Sequence, residues 1–171
     1  MKDKVELLDR LIQQALGKLY EKDYHLILNR AYNDFYNDLK HHVGERSIVF
    51  RFAHYLQNLM DETGIFNDFV LDCEYNRDGA EGKKLPSFPN GTYPDIIIHQ
   101  RGTNDCNLAV IEVKTYWNKD TSTDESKLRE FTDAKGKYKF QRGYSFVITK
   151  KLKDIKVVCY KYENCGDCNG F

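Results

Sequence analysis

The spacing of apolar residues divides the chain into a helical first part and a strand-rich second part. Val5, Leu8, Ile12, Ala15, Leu16 and Leu19 recur at helical spacing and predict an N-terminal helix. In "EKDYHLILNRAYNDFYNDLKHH" the pattern breaks near Asp23 and resumes after Asn29. In "GERSIVFRFAHYLQNLMDETG", Ile48, Val49, Phe52, Leu56, Leu59 and Met60 form a continuous stripe, and Gly64 is a natural stop. The period then changes to two. "DFVLDCEY" sets Phe69, Leu71, Cys73 and Tyr75 against Val70, Asp72 and Glu74, as in a half-buried strand. "NRDGAEGKKLPSFPNGT" has no period and reads as a long surface loop. "YPDIIIHQ" and "NLAVIEVKT" are strands. "STDESKLREFTDAKGK" is a short helix with cap candidates at its start and Leu128 and Phe131 inside. "GYSFVIT" and "IKVVCYKY" are strands around the turn "KKLKD".

This order predicts an α/β (α+β) fold: a central mixed sheet flanked by helices, with extra helices at the N-terminus. The length of 171 residues suits one domain. Within it, residues 1–43 form a helical extension, 44–162 the core and 163–171 a tail. The chain is 41% hydrophobic, enough for a core that needs no staples. Lys plus Arg and Asp plus Glu both number 26, so overall charge neither points to nor excludes a nucleic-acid partner. The start already has helical period rather than a leader or membrane segment, which makes a cytoplasmic protein with no membrane partner the expectation. Cys73, Cys106 and Cys159 read as core thiols. Cys165 and Cys168 form a single CxxC in the tail, without the second pair of a zinc site.

The chemistry concentrates in "YPDIIIHQRGTNDCNLAVIEVKT". An antiparallel hairpin folded symmetrically about "RGTND" sets Asp95 opposite Glu112. Alternation then puts Asp95, Ile97 and His99 on one face with Leu108, Val110, Glu112 and Lys114. Carboxylates facing each other across a ladder destabilise it. A hard divalent cation such as Mg²⁺ between them reverses the sign, and Lys114 can position water or stabilise charge developing on a phosphate. A second reading makes the trio a solvated strand end that Lys114 partly neutralises. "KGKYKFQRGY" supplies Lys135, Lys137, Lys139 and Arg142 between aromatics, either a phosphate-binding stretch or a solvated helix end. The long loop with Arg77, Lys83 and Lys84 could close over a substrate or equally be disordered. His99 reads as a core or edge histidine rather than a base.

The sequence Pro94-Asp95, a hairpin, then Glu112-Val113-Lys114 resembles the PD-(D/E)XK nucleases, the superfamily with the restriction-endonuclease-like fold. Residues 44 to 149 follow that fold's order of a helix, three strands, a helix and a strand. The resemblance implies metal-dependent hydrolysis of phosphodiester bonds in nucleic acid, DNA ahead of RNA. It implies Mg²⁺ (or Mn²⁺) on Asp95, Glu112 and the Val113 carbonyl, with Lys114 orienting or activating water. Glu45 matches the acidic residue that members often carry on the first helix, where it either completes the metal shell or only complements the helix dipole. Gln141 and Tyr144 do not fit the Gln/Tyr pattern of some members. The alternative is an inactive domain of this fold that binds nucleic acid or assembles with a partner. The N-terminal helices are the expected surface for a homodimer or protein partner.

Overall fold

The computed structural model describes residues 1–28 and 42–162. The helix expected after Asn29 and the CxxC tail lie outside the described residues. Helix α1 spans Lys2–Lys22, followed by a short α2, Tyr24–Leu28. Helix α3, Glu45–Thr63, ends at Gly64, whose φ of 64° is the left-handed cap that glycine adopts without strain. Strands β1 (Val70–Cys73), β4 (Ile96–His99), β5 (Asn107–Thr115), β6 (Arg142–Ile148) and β7 (Lys156–Lys161) form one sheet in the order β1-β4-β5-β6-β7. Only β5 and β6 pair in parallel, because α4 (Ser122–Thr132) crosses between them. The result is a five-stranded mixed sheet with helices on both faces.

The two faces have separate apolar cores. Ile96, Ile98, Ala109, Ile111, Val113, Tyr144 and Phe146 pack with α1 and α3. Ile97, Val110, Phe140 and Tyr160 pack with Leu128 and Phe131 of α4. Strand β5 is therefore covered on both sides, which is why it reads as a continuous apolar run up to Glu112. Helix α4 lies directly on β6 at Gly143, where an added Cβ would stand 3.1 Å from Thr132 Cγ2.

Helix α1 is not a free-standing extension. Its face of Val5, Leu8, Ile12, Ala15 and Leu19 is buried in the same core as α3 and the sheet. The Tyr144 hydroxyl donates to Asp9, and Asp23 accepts from Arg51 Nε at 2.7 Å and from Tyr55 Oη at 2.5 Å. A partner meeting α1 would find its polar face.

Three local expectations change. Glu74 takes a φ of 49°, which interrupts the alternation, so Tyr75 joins the α4-side core while Phe69 and Leu71 pack on the α3 side. Cys73, at the end of an edge strand, is exposed and Cys106 is half-buried; of the three expected core cysteines only Cys159 is buried. The long loop is built rather than bare: β2 (Arg77–Asp78) and β3 (Glu81–Gly82) form a ribbon, and Leu85 enters the α4-side core.

Leu8→Ala should cost about 2–5 kcal/mol in urea denaturation, the usual loss for a leucine cut out of a packed core. A change near zero would mean that α1 docks loosely rather than sharing the core.

Candidate functional site

The β4–β5 register is Ile96 with Ile111, Ile97 with Val110 and Ile98 with Ala109, which carries Asp95 opposite Glu112 as the symmetric hairpin requires. The symmetry fails at the other end, where His99 pairs with Asn107 and Leu108 is an extra, bulged residue. The bulge moves Leu108 to the α3-side core, off the face expected for it.

Asp95 sits just before β4, and its Oδ2 accepts the Val113 N–H at 2.7 Å. Glu112, in the middle of the covered strand, is only 2% exposed. Burial, and then the neighbouring Asp95 charge, push the Glu112 carboxyl up to about 8. Burial raises Asp95 to about 6, against the opposing pull of the Val113 N–H and Lys114. Asp95 Oδ1 and Glu112 Oε2 take no hydrogen bond among the described residues.

Glu45, in the first turn of α3, reaches the end of β5. Its carboxylate is 3.6 Å from Lys114 Nζ and accepts from Thr115 Oγ1 at 3.0 Å. A carboxylate placed only for the helix dipole would not need these partners. Lys114 also stands 3.2 Å from Asp124 Oδ2. Burial works against the Lys114 charge, but Asp124, Glu45 and Asp95 outweigh it and hold its pKa above the ordinary lysine value. Lys114 is therefore an ammonium at neutral pH. It can orient water or stabilise an anion.

Two residues of this site were not singled out in the sequence. Asp124 looks like an α4 cap residue, but it is almost fully buried and paired to Lys114. Lys127, one turn on, lies 3.4 Å from both Glu112 and Asp124. The signal was present in the spacing: Asp124, Leu128 and Phe131 share one helix face, so an acid stood on the stripe that enters the core.

The expected basic stretch is elsewhere. The Gln141 N–H donates to the Asn107 carbonyl at 3.1 Å, and Asn107 Nδ2 to the Tyr138 carbonyl at 2.7 Å. This places residues 138–141 at the Asn107 end of β5, about 16 Å along the strand from Glu112, with Arg142 opposite Ala109, about 10 Å along. Lys137 pairs with Asp78, and Arg142 Nη1 donates to the Gln141 carbonyl at 2.9 Å. Lys135 and Lys139 are exposed. The structure thus groups Asp95, Glu112, Lys114 and Glu45, and leaves Lys135, Lys137, Lys139 and Arg142 apart from them.

Among the described residues no three His, Cys, Asp or Glu side chains converge as a ready metal cage. Mg²⁺ does not require one, since it binds through one or two carboxylates and keeps several waters. Hard carboxylate oxygens, two of them free of hydrogen bonds, fit that demand at Asp95 and Glu112. No protein-family model matches the chain, and no curated protein matches it. No helix among the described residues is long and apolar enough to cross a membrane.

The raised Glu112 pKa fixes the sign of a pH effect. In chelator, the unfolded chain releases this proton near 4.5 and the folded chain holds it up to about 8. Stability therefore falls as pH rises through that window. Above pH 6.5 Asp95, at about 6, is largely ionised. Between pH 6.5 and 8 the wild type should lose about 1–2 kcal/mol in urea denaturation, and Glu112→Gln should remove most of that slope. An unchanged slope would place Glu112 in a better-solvated setting.

Proposed function

We propose that this protein is a metal-dependent nuclease with a restriction-endonuclease-like core, hydrolysing phosphodiester bonds in nucleic acid, DNA ahead of RNA. The observation that carries the reading is the placing of Asp95 against the buried Glu112, with Lys114 one step further on the same strand. Burying two facing carboxylates costs stability, and a cation offsets that cost while giving them a task. The order α3, β1, β4, β5, α4, β6 supports the same reading.

Asp95 and Glu112 would hold Mg²⁺ or Mn²⁺, with the Val113 carbonyl as a further ligand. A bound ion of this kind supplies Lewis-acid chemistry: it acidifies water and neutralises charge on the phosphate. The Val113 N–H fixes the Asp95 carboxylate in position. Lys114, held as an ammonium by Asp124 and Glu45, donates to water or to a non-bridging phosphate oxygen as charge develops. Glu45 approaches from α3 on the side of β5 away from α4 and orients Lys114. Lys127 keeps a positive charge beside Glu112.

A second reading, a non-catalytic subunit that binds nucleic acid or assembles with a partner, draws on the same ion pairs. Lys114 and Lys127 neutralise part of the acidic cluster internally, as a purely structural site would. Cleavage separates the two. With Mg²⁺ or Mn²⁺, the wild type should cut labelled single- or double-stranded DNA or RNA, Glu112→Gln should abolish cutting, and Lys114→Met should slow it by about 10²–10³-fold. A folded wild type that binds these oligonucleotides and cuts none of them in either metal would establish the second reading.

A further inference from the structure

The opposite end of the β4–β5 hairpin holds a second polar site. A cavity of about 290 Å³ is lined by Tyr75, Arg77, Asp78, Lys83, His99 and Asn104, among others. His99 lies four residues along the strand from Asp95, about 13 Å away. The α4-side core of Ile97, Val110, Leu85 and Phe131 fills the space between. The cavity is thus separate from the carboxylate site.

Its unusual member is Lys83, which is only 2% exposed. A lysine this buried is ordinarily paired with a carboxylate. Here Nζ donates to the Arg77 carbonyl at 2.5 Å and lies 4.9 Å and 5.6 Å from the ring centroids of Tyr75 and Tyr138. Among the described residues no carboxylate stands within ion-pair distance of it. Two acids are close by, but both are engaged. Asp72 accepts from Arg101 Nε at 2.9 Å and contacts His99 Nε2 at 3.1 Å. Asp78 is taken by Lys137, by Asn104 Nδ2 at 3.0 Å and by the Tyr138 hydroxyl at 3.1 Å. The nearby acids are thus matched to other donors, and the Lys83 charge is left beside the cavity. Arg77 adds an exposed cation at the rim, and Thr103 and Asn104 add polar groups. Gly79 and Gly102, with φ of 63° and 84°, turn the rim loops with no side chain over the opening. Lys135 and Lys139 stand exposed in the stretch that also carries Lys137 and Tyr138.

We propose that this cavity binds a phosphate group, with Lys83 as its buried counter-charge and Arg77 at its mouth. The phosphate is either a free anion or one carried by nucleic acid, and the site does not depend on the carboxylate site being catalytic. An ammonium half-solvated by two aromatic rings gains a full ionic partner when an oxyanion enters.

Calorimetric titration of the full chain with inorganic phosphate, and in parallel with a short oligonucleotide, tests this. The wild type and Glu112→Gln should bind phosphate equally, one per chain. Lys83→Met, which swaps the buried charge for an apolar group of similar length, should lose binding at least tenfold. Arg77→Ala changes only an exposed side chain and keeps the backbone carbonyl that Lys83 uses, so it tests the site even if Lys83→Met does not fold; it should weaken binding about fivefold. Lys83-dependent binding of the oligonucleotide that phosphate competes away identifies nucleic acid as the source, whereas Lys83-dependent binding of phosphate alone identifies the free anion. A folded wild type that binds neither, or binding unchanged in Arg77→Ala and in folded Lys83→Met, overturns the proposal.

Discussion

Asp95 and Glu112 repel each other from opposite strands at the edge of a covered core, and much of the surrounding structure bears on that repulsion. Glu112 cannot turn to solvent, because Ile111 and Val113 on either side of it are buried against α1 and α3. Its alternation with them fixes it on the α4 face. Asp95 cannot withdraw either, since its Oδ2 is fixed by the Val113 N–H and its own carbonyl accepts from the Glu74 N–H. The fold therefore sets two acids side by side in surroundings that favour their protonated forms, with Glu112 raised to about 8.

Three elements bring further charged groups to this point, and of these only Lys114 and Lys127 offset the two acids. The packing of α4 onto β6 at Gly143 sets the helix close enough for Asp124 and Lys127 to reach β5. Helix α3 presents Glu45 from its first turn. Strand β5 itself supplies Lys114. The lysines join the carboxylates into one network, with Lys114 between Glu45 and Asp124, and Lys127 between Asp124 and Glu112. Free acid oxygens beside a firmly protonated ammonium are a suitable setting for a hard cation and a phosphate ester, on which the proposed nuclease function rests.

Periodicity was enough to place α1, α3, α4 and the five sheet strands, because each buries one face or both. It also placed Asp95 against Glu112, since a symmetric hairpin has little freedom near its ladder. It could not place the Leu108 bulge, which depends on how β5 meets residues 138–141 through Asn107. Asp124 was hidden by its position, because an acid in a first helical turn already has an adequate local explanation. Lys83 was hidden for a different reason: its burial comes from Tyr75 and Tyr138, which are distant in sequence or beyond a backbone reversal. The basic run 135–142 was legible as a run, but the parallel β5–β6 pairing decides which end of the sheet receives it.

Calorimetric titration of Mn²⁺ into the metal-free protein asks whether the facing carboxylates hold a cation. The wild type should show saturable binding that disappears in folded Asp95→Ala and in folded Glu112→Ala, because each removes one of the facing carboxylates. Absence of binding by a folded wild type, or binding untouched by both substitutions, would contradict metal binding there and leave the two acids as charges with a purely structural role.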